Sequence, residues 1–342
     1  MENRDIRFMH DLQRFDDLLT ASRRLVLVPH ISPDGDAVGS CLGLQHALRA
    51  EGHDSVQVVA ANDVPPFLNW LPGADDIIIH EHDHERAEAV IAAADLVICL
   101  DFNALHRSGD SIHDLLERSD APTVLIDHHL GTADWPTVDL ADPTASSTCE
   151  LVFRHLSART GSADFLTPDL AACLYTGLMT DTGNFMFSAT SPAVHHMAAD
   201  LIAAGVQPQE VHDRVNNSFT ASRLKFFGHC ISERMTWVPE KRFAYMLVPQ
   251  AEMERFDIGT GGTEGLVNEP MKISDVRIAA LFKEAGDRVK ISFRSKGETD
   301  VAAFLNAHFS GGGHRNAAGG IFHGSLVEAE AHLLDNLDDL GA

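Results

Sequence analysis

The sequence predicts an α/β fold, with an N-terminal domain built on a parallel β-sheet and a smaller C-terminal α+β domain. In the first half of the chain, short strands that are apolar along their whole length alternate with helical patterns. This pattern is typical of a parallel sheet that is covered on both faces. A mostly helical stretch follows, from about residue 146 to 204. The last third then places strands close together before a terminal helix, which is typical of an α+β domain.

Five apolar runs in the first half are predicted to be strands. They are Leu25–Val28, Val56–Ala60, Ile77–Ile79, Leu96–Leu100 and Thr123–Ile126. A helix follows the first strand, with Val38, Cys41 and Leu48 on one side. Pro168 and Pro192 stand where two later helices are predicted to begin, because proline fits the first turn of a helix.

The C-terminal third has its own strands and helices. Strands are predicted at Arg242–Val248, Val276–Phe282 and Arg288–Arg294. A helix from Asp300, a glycine-rich turn, a further strand and a terminal helix from about Leu326 follow. We therefore predict domains at residues 1–204 and 229–342, joined by a helical connector at 205–228 that acts as a hinge.

Composition excludes several classes of function. The chain of 342 residues is 44% apolar, enough for a sizeable core, and its net charge is −24. This charge argues against a sequence-independent coat on long nucleic acid and against binding to an anionic membrane surface. The N-terminus has no apolar signal core, and the five scattered cysteines predict reduced thiols in a cytoplasmic protein.

Acidic and histidine side chains recur at the ends of predicted strands. The set is His30, Asp34, Asp36, Asp101, Asp127, His128 and His129, joined by Asp181 in the helical stretch. The carboxyl ends of parallel strands line one edge of a sheet, where ligands bind. Any one of these residues alone would indicate only a turn or a helix cap. Together they predict bound divalent metal, because clustered carboxylates need a positive partner and first-row ions such as manganese accept oxygen and imidazole.

A basic region lies in the C-terminal third. Residues 272–315 hold eight Lys and Arg against five acids, in a chain that is acidic overall. Candidate substrate-binding residues within it are Arg294, Ser295, Gly312, Gly313 and His314. Glycines let backbone N–H groups approach an oxyanion closely, and Arg and His add charged donors. This region is predicted to bind an anionic ligand.

At these residues the sequence resembles the DHH phosphoesterase family, named for a motif present here as Asp127-His128-His129. The four acidic segments match the family's motifs in order, and the GGGH segment at Gly311–His314 resembles its DHH-associated C-terminal domain. The resemblance covers about residues 20–340. Length and domain content are most similar to the nano-RNase branch. This resemblance implies that the protein hydrolyses short RNA to nucleoside 5′-monophosphates and 3′-phosphoadenosine 5′-phosphate (pAp) to AMP. It also implies that the substrate is bound between the two domains.

The resemblance also implies roles for individual residues. One manganese would be held by His30, Asp34 and Asp101, and a second by Asp36, Asp101, His128 and Asp181. Asp101 would then bridge the two ions. Asp127 would orient its neighbours, and His129 would be the general acid. Arg107 would lie near the phosphate.

Other functions stay open at this point. The same metal ligands would serve a phosphodiesterase of cyclic or linear dinucleotides such as cyclic di-AMP. From another class, a nucleotide-sensing module would bind metal without turnover. An inorganic pyrophosphatase is disfavoured because the basic second domain suits a nucleotide better. Expected partners are short RNA or nucleotides, with neither a membrane nor long duplex nucleic acid. A homodimer is one alternative for the oligomeric state, which the sequence leaves open.

Overall fold

The computed structural model describes residues 2–131, 134–259 and 261–340. The chain divides into two compact units, Met1–Ser218 (unit 1) and Phe219–Ala342 (unit 2). The boundary falls inside the predicted connector. Val211 in the first part of that stretch is buried in the core of unit 1, whereas Phe226 in the second part is buried in the core of unit 2.

Unit 1 is built on a six-stranded sheet in which every neighbouring pair is parallel. Its strands are β1 (Arg24–Pro29), β2 (Ser55–Ala60), β3 (Ile78–Ile79), β4 (Leu96–Leu100), β5 (Thr123–Ile126) and β6 (Val138–Asp139), in the order β3-β2-β1-β4-β5-β6. Its helices are α1 (Glu2–Ala21), α2 (Gly35–Ala50), α3 (His84–Ala92), α4 (Asp110–Glu117), α5 (Thr148–Thr160), α6 (Pro168–Asp181), α7 (Pro192–Ala203) and α8 (Pro208–Asn216). The predicted parallel-sheet domain is confirmed.

Both faces of this sheet are covered, which explains why its strands are apolar throughout. Leu25 and Leu27 point into one core, shared with α2, α5 and α6. Val26 and Val28 point into a second core, shared with α3 and α4. Side chains alternate between the faces of a strand, so two covered faces require an uninterrupted apolar run.

Helix α2 is more deeply buried than the one-sided pattern predicted, because 13 of its 16 residues are buried. It packs closely against α6 through glycines. A Cβ at Gly39 would lie 2.5 Å from the carbonyl oxygen of Cys173, and one at Gly177 would lie 2.9 Å from Cα of Asp36. The two backbones can approach this closely only because these positions carry no side chain.

Unit 2 has a mixed six-stranded sheet in the order β11-β12-β10-β9-β8-β7, in which only the β8–β9 pair is parallel. Its strands are β7 (Met235–Val238), β8 (Phe243–Val248), β9 (Ile278–Ala285), β10 (Arg288–Ser295), β11 (Gly312–His314) and β12 (Ala317–His323), and its helices are α9 (Ala221–His229), α10 (Gln250–Arg255), α11 (Val301–His308) and α12 (Leu326–Asp335). The predicted α+β class is confirmed. The segment predicted as a glycine-rich turn is instead the edge strand β11, since it pairs with β12.

Within the described residues, no helix combines the length and apolar character needed to cross a bilayer. All five cysteines are buried free thiols.

Candidate metal centre

Three neighbouring strands deliver the predicted side chains to one edge of the sheet of unit 1. His30 follows β1, Asp101 follows β4, and residues 127–129 follow β5, and these strands are adjacent in the order β1-β4-β5. Helix α2 begins just after β1, with Asp34 as its N-cap. Asp181 is the last residue of α6, which packs on α2. The structure therefore brings all eight acidic and histidine residues to the same edge.

His30, Asp34 and Asp101 form a first group of converging ligand atoms, all within 4.8 Å of one another. The Nε2 atom of His30 lies 3.6 Å from Oδ2 of Asp101 and 3.8 Å from Oδ1 of Asp34. Its Nδ1 lies 2.9 Å from the carbonyl oxygen of Ile31. Because a carbonyl oxygen can only accept a hydrogen bond, Nδ1 must carry a proton and donate it. With a proton fixed on Nδ1, the ring in its neutral form would direct the lone pair of Nε2 toward the two carboxylates.

Asp36, His128 and Asp181 form a second group with the same spacing. The Nε2 atom of His128 lies 3.2 Å from Oδ2 of Asp181 and 3.8 Å from Oδ2 of Asp36. It is also 3.4 Å from Oδ1 of Asp101. Since the other oxygen of Asp101 faces His30, this one carboxylate lies between the two groups.

Asp127 and His129 lie beside the Asp101 carboxylate. Nδ1 of His129 is 2.7 Å from Oδ1 of Asp127, and the three residues form a further group of converging ligand atoms. The second oxygen of Asp127, Oδ2, is buried and has no hydrogen-bond partner among the residues that the structure describes. The Asp127 carboxylate thus contacts the His129 ring directly, and its role in orienting that ring stays a prediction.

Burial and mutual repulsion make the carboxylates hard to ionise together. Burial first, then the charge of Asp101, raises the pKa of Asp36 to about 7. Burial and Asp36 raise the pKa of Asp181 well above its usual value. At Asp101 burial acts in the same direction, but the His128 and His30 imidazoles outweigh it and hold the pKa well below its usual range. Burial opposes protonation of His30, yet the carboxylates of Asp101 and Asp34 raise its pKa to about 10.

This donor set fits divalent cations. Carboxylate oxygens and imidazole nitrogens together are the ligands of first-row divalent ions. A cation in each group would relieve the repulsion among the buried carboxylates, and the Nε2 atoms of His30 and His128 would bind it in place of a proton. The two groups of ligand atoms could therefore each hold a divalent cation.

Sequence reasoning missed the contribution of α5. The backbone N–H groups of Thr148 and Cys149 donate to Asp36 over 2.6 and 2.9 Å, and the Thr148 hydroxyl donates to Asp101 over 2.9 Å. Ser147 caps this helix by accepting from the backbone N–H of Glu150. The sequence signal was the run of Ser and Thr before a helical pattern, which marks a helix start but not its distant partner.

Arg107 lies in a short 3₁₀ turn at Leu105–Ser108. Its carbonyl oxygen accepts the N–H of Ile31 over 2.7 Å, which holds this turn beside the residue that follows His30. The Arg107 side chain is half-buried.

The other predicted substrate-binding residues belong to unit 2. Arg294 is a half-buried side chain on β10, opposite Ala317 of β12. Gly312, Gly313 and His314 make up β11. The Ser295 hydroxyl donates to the carbonyl oxygen of Thr299 and accepts from Asn316, so it connects the end of β10 to the β11–β12 hairpin.

Comparison with known proteins identifies both parts of the chain. Residues 24–178 match the DHH family, N-terminal domain, and residues 241–340 match the DHHA1 domain. The bifunctional oligoribonuclease and PAP phosphatase NrnA of Thermus thermophilus is 28% identical over 313 residues, which cover 91% of this chain and 88% of that protein. Its namesake from Bacillus subtilis is 27% identical over 312 residues, with 91% and 93% covered. The crystal structure of an exopolyphosphatase-related protein from Bacteroides fragilis is 35% identical with a TM-score of 0.91, covering 97% of this chain and 96% of that one.

Proposed function

Since the chain belongs to the DHH family of phosphoesterases and is therefore a hydrolase, we propose that it degrades short oligoribonucleotides to nucleoside 5′-monophosphates and converts pAp to AMP. The relatives from Thermus thermophilus and Bacillus subtilis, whose names carry both activities, support this substrate class. Their similarity extends over about nine-tenths of the chain, so it includes unit 2.

One observation carries the proposal. The Asp101 carboxylate lies between two groups of ligand atoms, 3.6 Å from Nε2 of His30 through one oxygen and 3.4 Å from Nε2 of His128 through the other. A carboxylate shared by two cation sites suits an in-line displacement at phosphorus, in which two ions would stabilise the attacking and leaving oxygens.

We propose two divalent ions, most simply manganese, as cofactors. His30, Asp34 and Asp101 would hold one ion, and Asp36, Asp101, His128 and Asp181 the other. When bound, such ions neutralise phosphoryl oxygens and acidify a water nucleophile. The chain itself supplies the rigid ligand set, because Asp36, Asp101 and His128 are buried and fixed by α2, β4 and β5.

His129 is the proposed proton donor to the leaving oxygen. Asp127 accepts from Nδ1, so the ring is held with Nε2 directed away from that carboxylate. The N–H group of an imidazole can serve as a general acid toward a leaving oxygen. In this assignment His129 is the catalytic acid, and the catalytic carboxylates are Asp101 and Asp127. Arg107 adds positive charge near the phosphate.

Unit 2 is proposed to recognise the substrate. Arg294, the N–H groups of Gly312 and Gly313, and His314 would bind a phosphate, with Ser295 supporting the hairpin that carries them. The overall charge of −24 favours short RNA and nucleotides over long duplex nucleic acid. The five free thiols favour a reducing compartment, and we propose the cytoplasm.

The decisive experiment compares substrates under one condition with manganese added. RNAs of two to five nucleotides, pAp and cyclic di-AMP are incubated with the enzyme, and the products are separated by chromatography. We expect mononucleotides from the shortest RNAs and AMP from pAp. A preference for cyclic di-AMP would show that the proposed substrate class is wrong, while the assignment of the metal centre would stand. Tight nucleotide binding without product over hours would identify a sensing module instead.

A further inference from the structure

The first turn of α5 contacts two buried carboxylates of the metal centre, Asp36 and Asp101. The first N–H groups of a helix have no partner within the helix. Here the N–H of Thr148 donates to Oδ2 of Asp36 over 2.6 Å, and that of Cys149 donates to Oδ1 over 2.9 Å. Both oxygens of Asp36 are thereby held by a helix N-terminus, which also favours their negative charge.

The Thr148 hydroxyl extends this contact to the second carboxylate. Its Oγ1 donates to Oδ1 of Asp101 over 2.9 Å, and both residues are buried. The Asp101 backbone has a left-handed φ of 69° and is held by a hydrogen bond from its N–H to the carbonyl oxygen of Ile126. With the backbone fixed, the Thr148 hydroxyl restricts rotation of the Asp101 carboxylate, in which Oδ1 faces His128 and Oδ2 faces His30.

Other buried threonines of unit 1 use their hydroxyls differently. Thr176 donates to the carbonyl oxygen of Ala172, and Thr182 donates to that of Leu178. These are ordinary contacts within α6 and at its end, four residues back along the chain. Thr148 instead donates to a carboxylate 47 residues away.

We propose that Thr148 is a positioning residue. It holds Asp36 through its backbone N–H and Asp101 through its hydroxyl, so that both groups of ligand atoms are arranged before an ion binds. The inference rests on the proposed function only in that it requires divalent-cation binding. Removing the hydroxyl lets the Asp101 carboxylate rotate and takes away one of its donors. Loss of such an orienting partner typically costs 10–100-fold in metal affinity or activity.

The test titrates metal-free protein with manganese chloride alone, by calorimetry, without substrate. Thr148→Val keeps the shape and removes the hydroxyl, and Thr148→Ser keeps the hydroxyl. Thr176→Val is the matched control, because it removes another buried hydroxyl that does not contact the site. We expect Thr148→Val to weaken manganese binding by about 10–100-fold, Thr148→Ser to bind as the wild type does, and Thr176→Val to leave binding unchanged.

Two results would overturn the proposal. One is wild-type affinity in a folded Thr148→Val protein, and the other is equal weakening in Thr176→Val, which would indicate a general loss of packing. If Thr148→Val does not fold, Thr148→Ser decides, because a folded serine variant with weakened manganese binding contradicts a role for the hydroxyl. With saturating manganese, a positioning role lowers kcat and leaves KM unchanged. Because the titration uses no RNA or pAp, failure of the proposed substrates would leave its result intact.

Discussion

The candidate residues of unit 1 and those of unit 2 are held in different ways. In unit 1, His30, Asp36, Asp101 and His128 are at most 8% exposed, and strand ends and helix starts fix them. In unit 2, Gly312 and Gly313 are exposed on an edge strand, and Arg294 and His314 are half-buried. The first set is preorganised and desolvated, whereas the second is accessible to solvent.

This difference suggests a division of labour. Buried carboxylates and imidazoles interact strongly because little water screens them, and they cannot rearrange at low cost. Such groups suit the bound cations and the chemical step. Accessible donors on a hairpin suit reversible binding of an anionic ligand. We therefore expect substitutions in unit 1 to change metal affinity and kcat, and substitutions in unit 2 to change KM.

The largest expected effect is that of Asp101→Asn. The amide oxygen can still accept from Thr148, so the fold is retained, but the charge shared by the two groups is lost. Activity should fall by more than about 100-fold, since loss of an orienting partner alone costs 10–100-fold. Manganese-dependent hydrolysis of pAp measures this loss. The exposed Asp120→Asn serves as control, and near-normal activity of Asp101→Asn would refute the assignment of the site.

Arg294→Ala tests the other side of the comparison. Losing one charged hydrogen bond to a phosphate costs about 1.5–3 kcal/mol, which is roughly 10–150-fold. We expect this loss in KM, with manganese affinity unchanged. Arg288→Ala is the matched control, because Arg288 lies on the same strand and the same face at its other end. Equal effects of the two substitutions would show a general charge effect, and a loss confined to kcat would break the proposed division.

The sequence could predict the strand ends that carry the site, because an apolar run followed by Asp or His is visible in one dimension. The sequence predicted that α2 is buried on one side, whereas the structure buries it on nearly all sides. The glycines that allow α6 to pack closely against α2 are visible in the sequence, but their spacing does not show which helix they contact. Strand β6 was missed because it has only two residues, which are too few to show a hydrophobic pattern. Strand β7 was missed because its four residues are mostly half-buried and show no sustained alternation of apolar and polar side chains. The contact of Thr148 with Asp36 spans 112 residues and could not be predicted from local pattern.

Gly177→Ala tests whether close helix packing fixes the site in unit 1. The new Cβ would lie 2.3 Å from Sγ of Cys149 and 2.9 Å from Cα of Asp36. Such overpacking typically costs about 1–3 kcal/mol, so calorimetry should show a lower Tm, and titration should show weaker manganese binding. Gly228→Ala is the control, because this exposed helical glycine of unit 2 has open space around it. That variant should be as stable as the wild type or more stable, and an unchanged Tm in Gly177→Ala would contradict the packing argument.

The smallest expected effect concerns the acid sensitivity of unit 1. His155 on α5 is buried, and burial first, then the charge of Arg154, lowers its pKa to about 3. The unfolded chain takes up a proton on this ring near pH 6.5, whereas the folded chain does not, so stability is lost as pH falls below about 6.5.

His155→Leu should remove this contribution, which we expect to be about 1 kcal/mol between pH 7 and 5.5. Urea unfolding can be followed by the fluorescence of Trp70 and Trp135 in a Trp237→Phe background, so that the signal reports unit 1. The quantity that matters is the difference in unfolding free energy between the two proteins at each pH, since other groups titrate equally in both. Exposed His196→Gln should show no such difference. Parallel pH curves for wild type and His155→Leu would mean that the folded state protonates His155 as readily as the unfolded chain does.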